Sequence, residues 1–116
     1  MRIRDLAHKD GVAGAWRATS RRIDLDDANT AHIREIWHYS TLMLKFNTVV
    51  HDDEAVLDYS VGWGSVSDQG GMNQLFRELN LPLYYVRQGG ARIVELVKNE
   101  DEYWTHPETE RIKASA

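Results

Sequence analysis

The sequence predicts an α+β fold: a ββαββ antiparallel sheet with one packed helix, preceded by an N-terminal helix. Three observations lead there. Residues 39–63 alternate with period two around a polar turn. A helical apolar stripe follows at Met72, Leu75, Phe76 and Leu79. Gly89-Gly90 then separates two further β-rich runs.

Taken in order, the elements begin with a basic segment. Asp10 to Arg22 reads as helix, because Val12 and Trp16 sit four apart and Ala13, Ala15 and Ala18 favour helix. Gly11 and Gly14 weaken that reading. Asp24-Leu25-Asp26-Asp27-Ala28-Asn29 is turn chemistry and reads as a connector, so residues 1–30 form a basic helix plus linker.

The core is expected over residues 31–97. Ile33 to Asn47 contains a strand; from Tyr39 onward Leu42, Leu44 and Phe46 share one face, with Thr41, Met43 and Lys45 on the other. Val49 to Glu54 is a polar turn centred on His51-Asp52-Asp53. Ala55 to Trp63 forms the second strand, with Leu57, Tyr59, Val61 and Trp63 on one side. Ser65 or Ser67 then caps the helix, and Asp68 in its first turn suits the positive end of the helix dipole. Asn80 suits the left-handed position after the helix, and Pro82 stops its continuation. Leu83 to Gln88 and Ala91 to Val97 pair as the last hairpin, and a charged tail follows over 98–116, anchored by Tyr103, Trp104 and Pro107.

Length and composition set the bounds. At 116 residues the chain suits a single domain that buries a core unaided. No apolar run approaches membrane-spanning length, and the charged start lacks a signal-peptide core, so a cytoplasmic protein with no membrane partner is expected. The absence of cysteine excludes disulfides, thiolate zinc sites and thiol nucleophiles. Net charge is −4, but residues 2–22 carry six basic and two acidic side chains, whereas residues 23–62 carry two basic and eight acidic ones. Such a split marks either two solvated faces of opposite sign or an electrostatic contact surface.

Several constellations bear on function. With Gly89 and Gly90 as the central turn residues, Arg87 falls opposite Arg92, and two guanidinium groups so placed repel unless an anion lies between them. A splayed, solvated pair is the plain alternative. The stretch Gly62-Trp63-Gly64-Ser65-Val66-Ser67-Asp68-Gln69-Gly70-Gly71-Met72-Asn73 is a glycine-rich loop entering a helix, a place where backbone N–H groups can seat an anion. It lacks the spacing and lysine of a P-loop. Its glycines more economically let helix and strand approach closely, with Trp63 as a core plug. The five histidines show no i, i+4 metal pair, and His51-Asp52-Asp53-Glu54 sits in a turn where acidic residues are common. Ser40, Ser60, Ser65 and Ser67 have no nucleophile elbow around them. Four tryptophans and five tyrosines fill a small core or supply exposed anchors; Tyr84 and Tyr85 point to opposite faces, so one of them reaches solvent.

Residues 39–74 carry a recognisable pattern: Tyr39, Ser40 and Thr41 at a strand start, Gly62 and Trp63 at a strand end, Ser65 and Ser67 as caps, and Met72, Asn73 and Gln74 early in a helix. This resembles a recurring pattern in small proteins of tailed phages, of the actinobacteriophage kind. The resemblance covers about a third of the chain and implies phage origin and a ββαββ core; it brings no catalytic residues. Relatives often carry basic residues after the tryptophan and in the first helical turn. Gly64, Asp68, Gln69, Gly70 and Gly71 stand there instead, which argues against phosphate binding at this loop.

These readings point to no enzyme, no metal and no cofactor. The leading expectation is a phage accessory protein that binds a host or phage protein. The alternative is nucleic-acid binding through the basic N-terminal helix with Arg87 and Arg92, and an enzyme or small-ligand sensor using the Gly62–Asn73 loop ranks third. Candidate partner- or anion-binding residues are Arg87, Arg92, Tyr84, Trp63, Ser65, Asp68, Asn73, Arg21 and Arg22. Exposed sheet edges also allow a homodimer.

Overall fold

The computed structural model describes residues 1–24, 30–48, 57–98 and 104–105. The fold is α+β, and the chain forms two compact units, Met1–Gly62 and Trp63–Ala116. The expected 31–97 core is thus divided between them. Among the described residues no helix is long and apolar enough to cross a membrane.

The first unit opens with a short 3-10 helix, Ile3–Ala7, and continues as five strands: β1 (Gly11–Ala13), β2 (Trp16–Asp24), β3 (Thr30–His38), β4 (Thr41–Asn47) and β5 (Leu57–Tyr59). They pair antiparallel in sequence order. The expected helix over Asp10–Arg22 is therefore a hairpin. Trp16 and Ala18 are buried, while Arg17, Thr19 and Arg21 face out, the period-two pattern of a strand. Gly14, at φ 61°, sits between the paired residues Ala13 and Trp16 and makes the tight turn. Pairing of β2 with β3 along their length outweighs the local preference of the alanines for helix. The connector residues 25–29, the turn at 49–54 and the start of the next strand at 55–56 lie outside the described residues.

One sheet face carries the core of this unit. Ala13, Trp16, Ala18, Ile36, His38, Leu44 and Phe46 are buried and adjacent by register. His38 stacks on Trp16, its cross-strand partner, at 4.3 Å between ring centroids. The 3-10 helix is tied to this side. Arg34 Nη1 donates to the Ala7 carbonyl at 2.9 Å, and Asp10 accepts from the Ser20 hydroxyl and from Arg34. Those bonds hold the Asp10 carboxyl below its ordinary pKa, the Ser20 hydroxyl foremost.

The opposite face is more polar, although Ile33 on it is fully buried. Thr19, Glu35, Lys45 and Asp58 lie in one row across four strands. Arg21 pairs with Glu35, and the Arg17 guanidinium lies 4.9 Å from the centre of the Trp37 ring. Between Ile36 and Trp37 the register with β4 slips by one, from Leu44 to Leu42. Met43 is therefore an extra residue, a bulge, and it is fully buried rather than opposite Leu44 as strict alternation predicts.

The second unit contains helix α1 (Val66–Glu78), the hairpin of β6 (Leu83–Val86) and β7 (Arg92–Glu95), and a short pair of β8 (Val97–Lys98) with β9 (Trp104–Thr105). Residues 41–95 thus keep the ββαββ order, but the strands do not share one sheet. Met72, Leu75 and Phe76 are buried as the stripe predicts, with Leu83 and Tyr85 of β6. The helix ends as expected: Asn80 takes φ 54°, and the Leu81 and Asn80 N–H groups donate to the Phe76 and Arg77 carbonyls. This closure satisfies carbonyls a helix end otherwise leaves free. Beyond Lys98 only β9 is described, so the expected anchors Tyr103 and Pro107 lie outside the described residues.

Candidate functional site

The best-defined local structure surrounds the entry to α1. Ser65 is the N-cap; its hydroxyl accepts from the Asp68 N–H at 3.0 Å. Asp68 Oδ2 accepts in return from the N–H groups of Ser65, at 3.1 Å, and Trp63, at 3.0 Å. A capping box with aspartate as its acid satisfies donors at the positive end of the helix. Asp68 is buried, and no buried side-chain polar atom among the described residues lacks a partner. The N–H groups that could seat an external anion are therefore taken by the chain's own carboxylate, in keeping with the expectation against phosphate binding at this loop.

The loop is held from a second side by the hairpin. Arg87 Nε donates to the Gly64 carbonyl at 2.9 Å. Gly64, at φ 74°, lies so close to the hairpin that a Cβ would stand 3.1 Å from the Ala91 Cβ. Asn73 bonds both backbone groups of Tyr85: Oδ1 accepts from its N–H at 2.7 Å and Nδ2 donates to its carbonyl at 3.2 Å. Gln69 Nε2 reaches the same carbonyl. A side-chain amide here does what a neighbouring strand would do for β6. Burial raises the Tyr85 pKa above its ordinary value, and the Asp68 charge acts in the same direction.

All these bonds fix the backbone around Trp63, whose side chain is 87% exposed. The tryptophan expected as a core plug is instead displayed on a pedestal. Glycines flanking it at Gly62 (φ 57°) and Gly64 turn the chain outward, which the alternation of residues 57–63 does not foretell.

The arginine clamp does not form. The hairpin pairs Val86 with Arg92, so its loop is Arg87 to Ala91 and not the two glycines alone. Arg92 Nη1 donates to the Gln88 carbonyl, Arg87 is engaged at Gly64, and the two never face each other. Arg21 and Arg22 lie on β2 of the first unit, where alternation sends them to opposite faces. Tyr84 is half exposed, at 42%, while Tyr85 is buried, as their adjacency on a strand requires. The structure thus brings Trp63, Ser65, Asp68, Asn73 and Arg87 together; Arg92 is engaged within its own hairpin loop, and Arg21 and Arg22 belong to the first unit. Sequence reasoning missed Gln69 and Tyr85 as parts of this arrangement. The signal was their spacing: Gln69 and Asn73 are one helical turn apart and so share a face.

Among the described residues no three His, Cys, Asp or Glu side chains are placed to share a metal ion. Comparison with protein-family models, with curated proteins and with solved structures found no match.

Proposed function

We propose that this chain is a non-catalytic interaction module, a small phage-encoded accessory protein that binds a host or phage protein in the host cytoplasm. Trp63 carries the reading. A large aromatic ring stands in solvent on a backbone fixed by Asp68, Arg87 and Gly64. Solvation of such a ring has a cost that a partner's apolar pocket removes, and a rigid backbone leaves little entropy to lose on binding. Tryptophan is over-represented among residues that dominate interface energies. The loop's own anion-binding groups are spent on Asp68, which favours apolar contact over phosphate recognition at this place.

The test is a pull-down of tagged protein from actinobacterial host lysate, with and without nuclease, repeated with Trp63→Ala. One protein retained after nuclease and lost with Trp63→Ala is the expected result; at a true anchor the substitution costs at least about 2 kcal/mol in binding. Retention unaffected by Trp63→Ala overturns the assignment of the anchor. Loss of all bound material after nuclease overturns the protein partner.

A second reading, binding to nucleic acid, draws on Arg17 and Arg21, which β2 places on one sheet face near Trp37. Against it stand Glu35 and Asp58 in the adjacent charge row and the net charge of −4. It requires affinity that falls steeply with salt. Binding indifferent to ionic strength removes it.

A further inference from the structure

The second unit contains a groove of about 430 Å³ between the end of α1 and β6. Its size is that of a small-molecule pocket. Leu81, Leu83 and Leu96 supply an apolar lining, and Arg77, Asn80 and Tyr84 supply polar groups. Asn73 also reaches the groove but is committed to Tyr85. The side chains of Arg77, Asn80 and Tyr84 make no hydrogen bond or ion pair with any described residue. Arg77 therefore brings to a leucine-lined cleft a positive charge with no ion-pair partner among the described residues.

We propose that this groove binds a carboxylate carried on an apolar body. Arg77 takes the carboxylate, for which the planar guanidinium is the matching donor. Asn80 and the Tyr84 hydroxyl supply further hydrogen bonds, and the aliphatic or aromatic body rests on Leu81, Leu83 and Leu96. Two sources offer this chemistry: the C-terminal residue of a polypeptide, and a free short-chain acid. The site does not include Trp63, so it stands or falls apart from the interaction surface proposed above.

The test uses the full chain and three probes followed by amide NMR: N-acetyl-leucine, its uncharged analogue N-acetyl-leucinamide, and octanoate. Saturable shifts at Arg77, Asn80 and Tyr84 with an acid, and at least tenfold weaker binding of the amide, are expected. Arg77→Gln, a surface change that leaves the fold intact, should weaken binding of the acids about tenfold and leave the amide unchanged. Preference for N-acetyl-leucine over octanoate identifies a polypeptide C-terminus as the source, and the reverse order identifies a free acid. Equal binding of acid and amide, insensitivity to Arg77→Gln, or no binding by either acid overturns the proposal.

Discussion

The two units are held together by different chemistry. In Met1–Gly62 the strands bond backbone to backbone, and stability rests on apolar side chains stacked on one sheet face, Ile36 and Leu44 at its centre. In Trp63–Ala116 the helix entry and the hairpin are joined as much by side chain to backbone: Asn73 and Gln69 to Tyr85, Arg87 to Gly64, with Asp68 closing the loop itself onto Trp63 and Ser65. A sheet distributes its hydrogen bonds over many equivalent residues. A helix beside a two-stranded hairpin has few, so single polar side chains become decisive. A two-stranded hairpin alone is marginal in water, and Asn73 in effect provides β6 with part of a third strand.

The contrast can be broken by substitution. The largest effect belongs to the first unit: Ile36→Ala removes a fully buried side chain and should cost about 3 kcal/mol in urea unfolding, within the usual range for such deletions. Asn73→Ala should cost about 2 kcal/mol in the second unit, because it strips the Tyr85 N–H of its acceptor and the carbonyl of one donor. A cost below about 0.5 kcal/mol would show that apolar packing, not the amide, holds the hairpin.

Acid and alkali should separate the units next. The Asp10 pKa is lowered in the folded chain, so its contribution is present above the ordinary carboxylate value and is lost as pH falls below about 4. Asp10→Asn should lack this acid-side loss. The Tyr85 pKa is raised, so its contribution is present below about pH 10 and is lost as pH climbs through the folded value. Tyr85→Phe should flatten that alkaline decline. Hydrogen exchange followed residue by residue assigns each loss to its unit. The smallest effect on stability is Trp63→Ala, within about 0.5 kcal/mol, because the indole is almost wholly in solvent. A cost above about 1 kcal/mol would mean that the ring packs, which would remove it as an exposed anchor.

What the sequence made legible was the local chemistry. The stripe at Met72, Leu75 and Phe76, the Ser65 cap with Asp68 in the first turn, and the left-handed Asn80 all follow from short-range rules and all appear. Features that depend on distant pairing were hidden. Alanines and a four-residue Val12–Trp16 spacing suggested a helix, yet β3 was available to pair with Trp16–Asp24 and made it a strand. Met43 looked like an ordinary alternating residue, because nothing local marks which residue a partner strand will skip. The one-residue shift that placed Val86 opposite Arg92 undid the arginine clamp in the same manner. The candidate site was half legible: Ser65, Asp68 and Asn73 were visible as a capped helix start, but the exposure of Trp63 depends on Gly62 and Gly64 turning the chain outward.

The display of Trp63 has an optical consequence. Trp16 is sealed under the first unit, stacked on His38, whereas Trp63 stands in water. Indole emission shifts to longer wavelength in polar surroundings, and dissolved iodide reaches only rings it can collide with. The red edge of the protein's fluorescence should therefore contain a quenchable component that Trp63→Phe reduces. A partner seated on that ring should shift the emission blue and shield it from iodide, so the protein carries a built-in reporter of its own occupancy and needs no label.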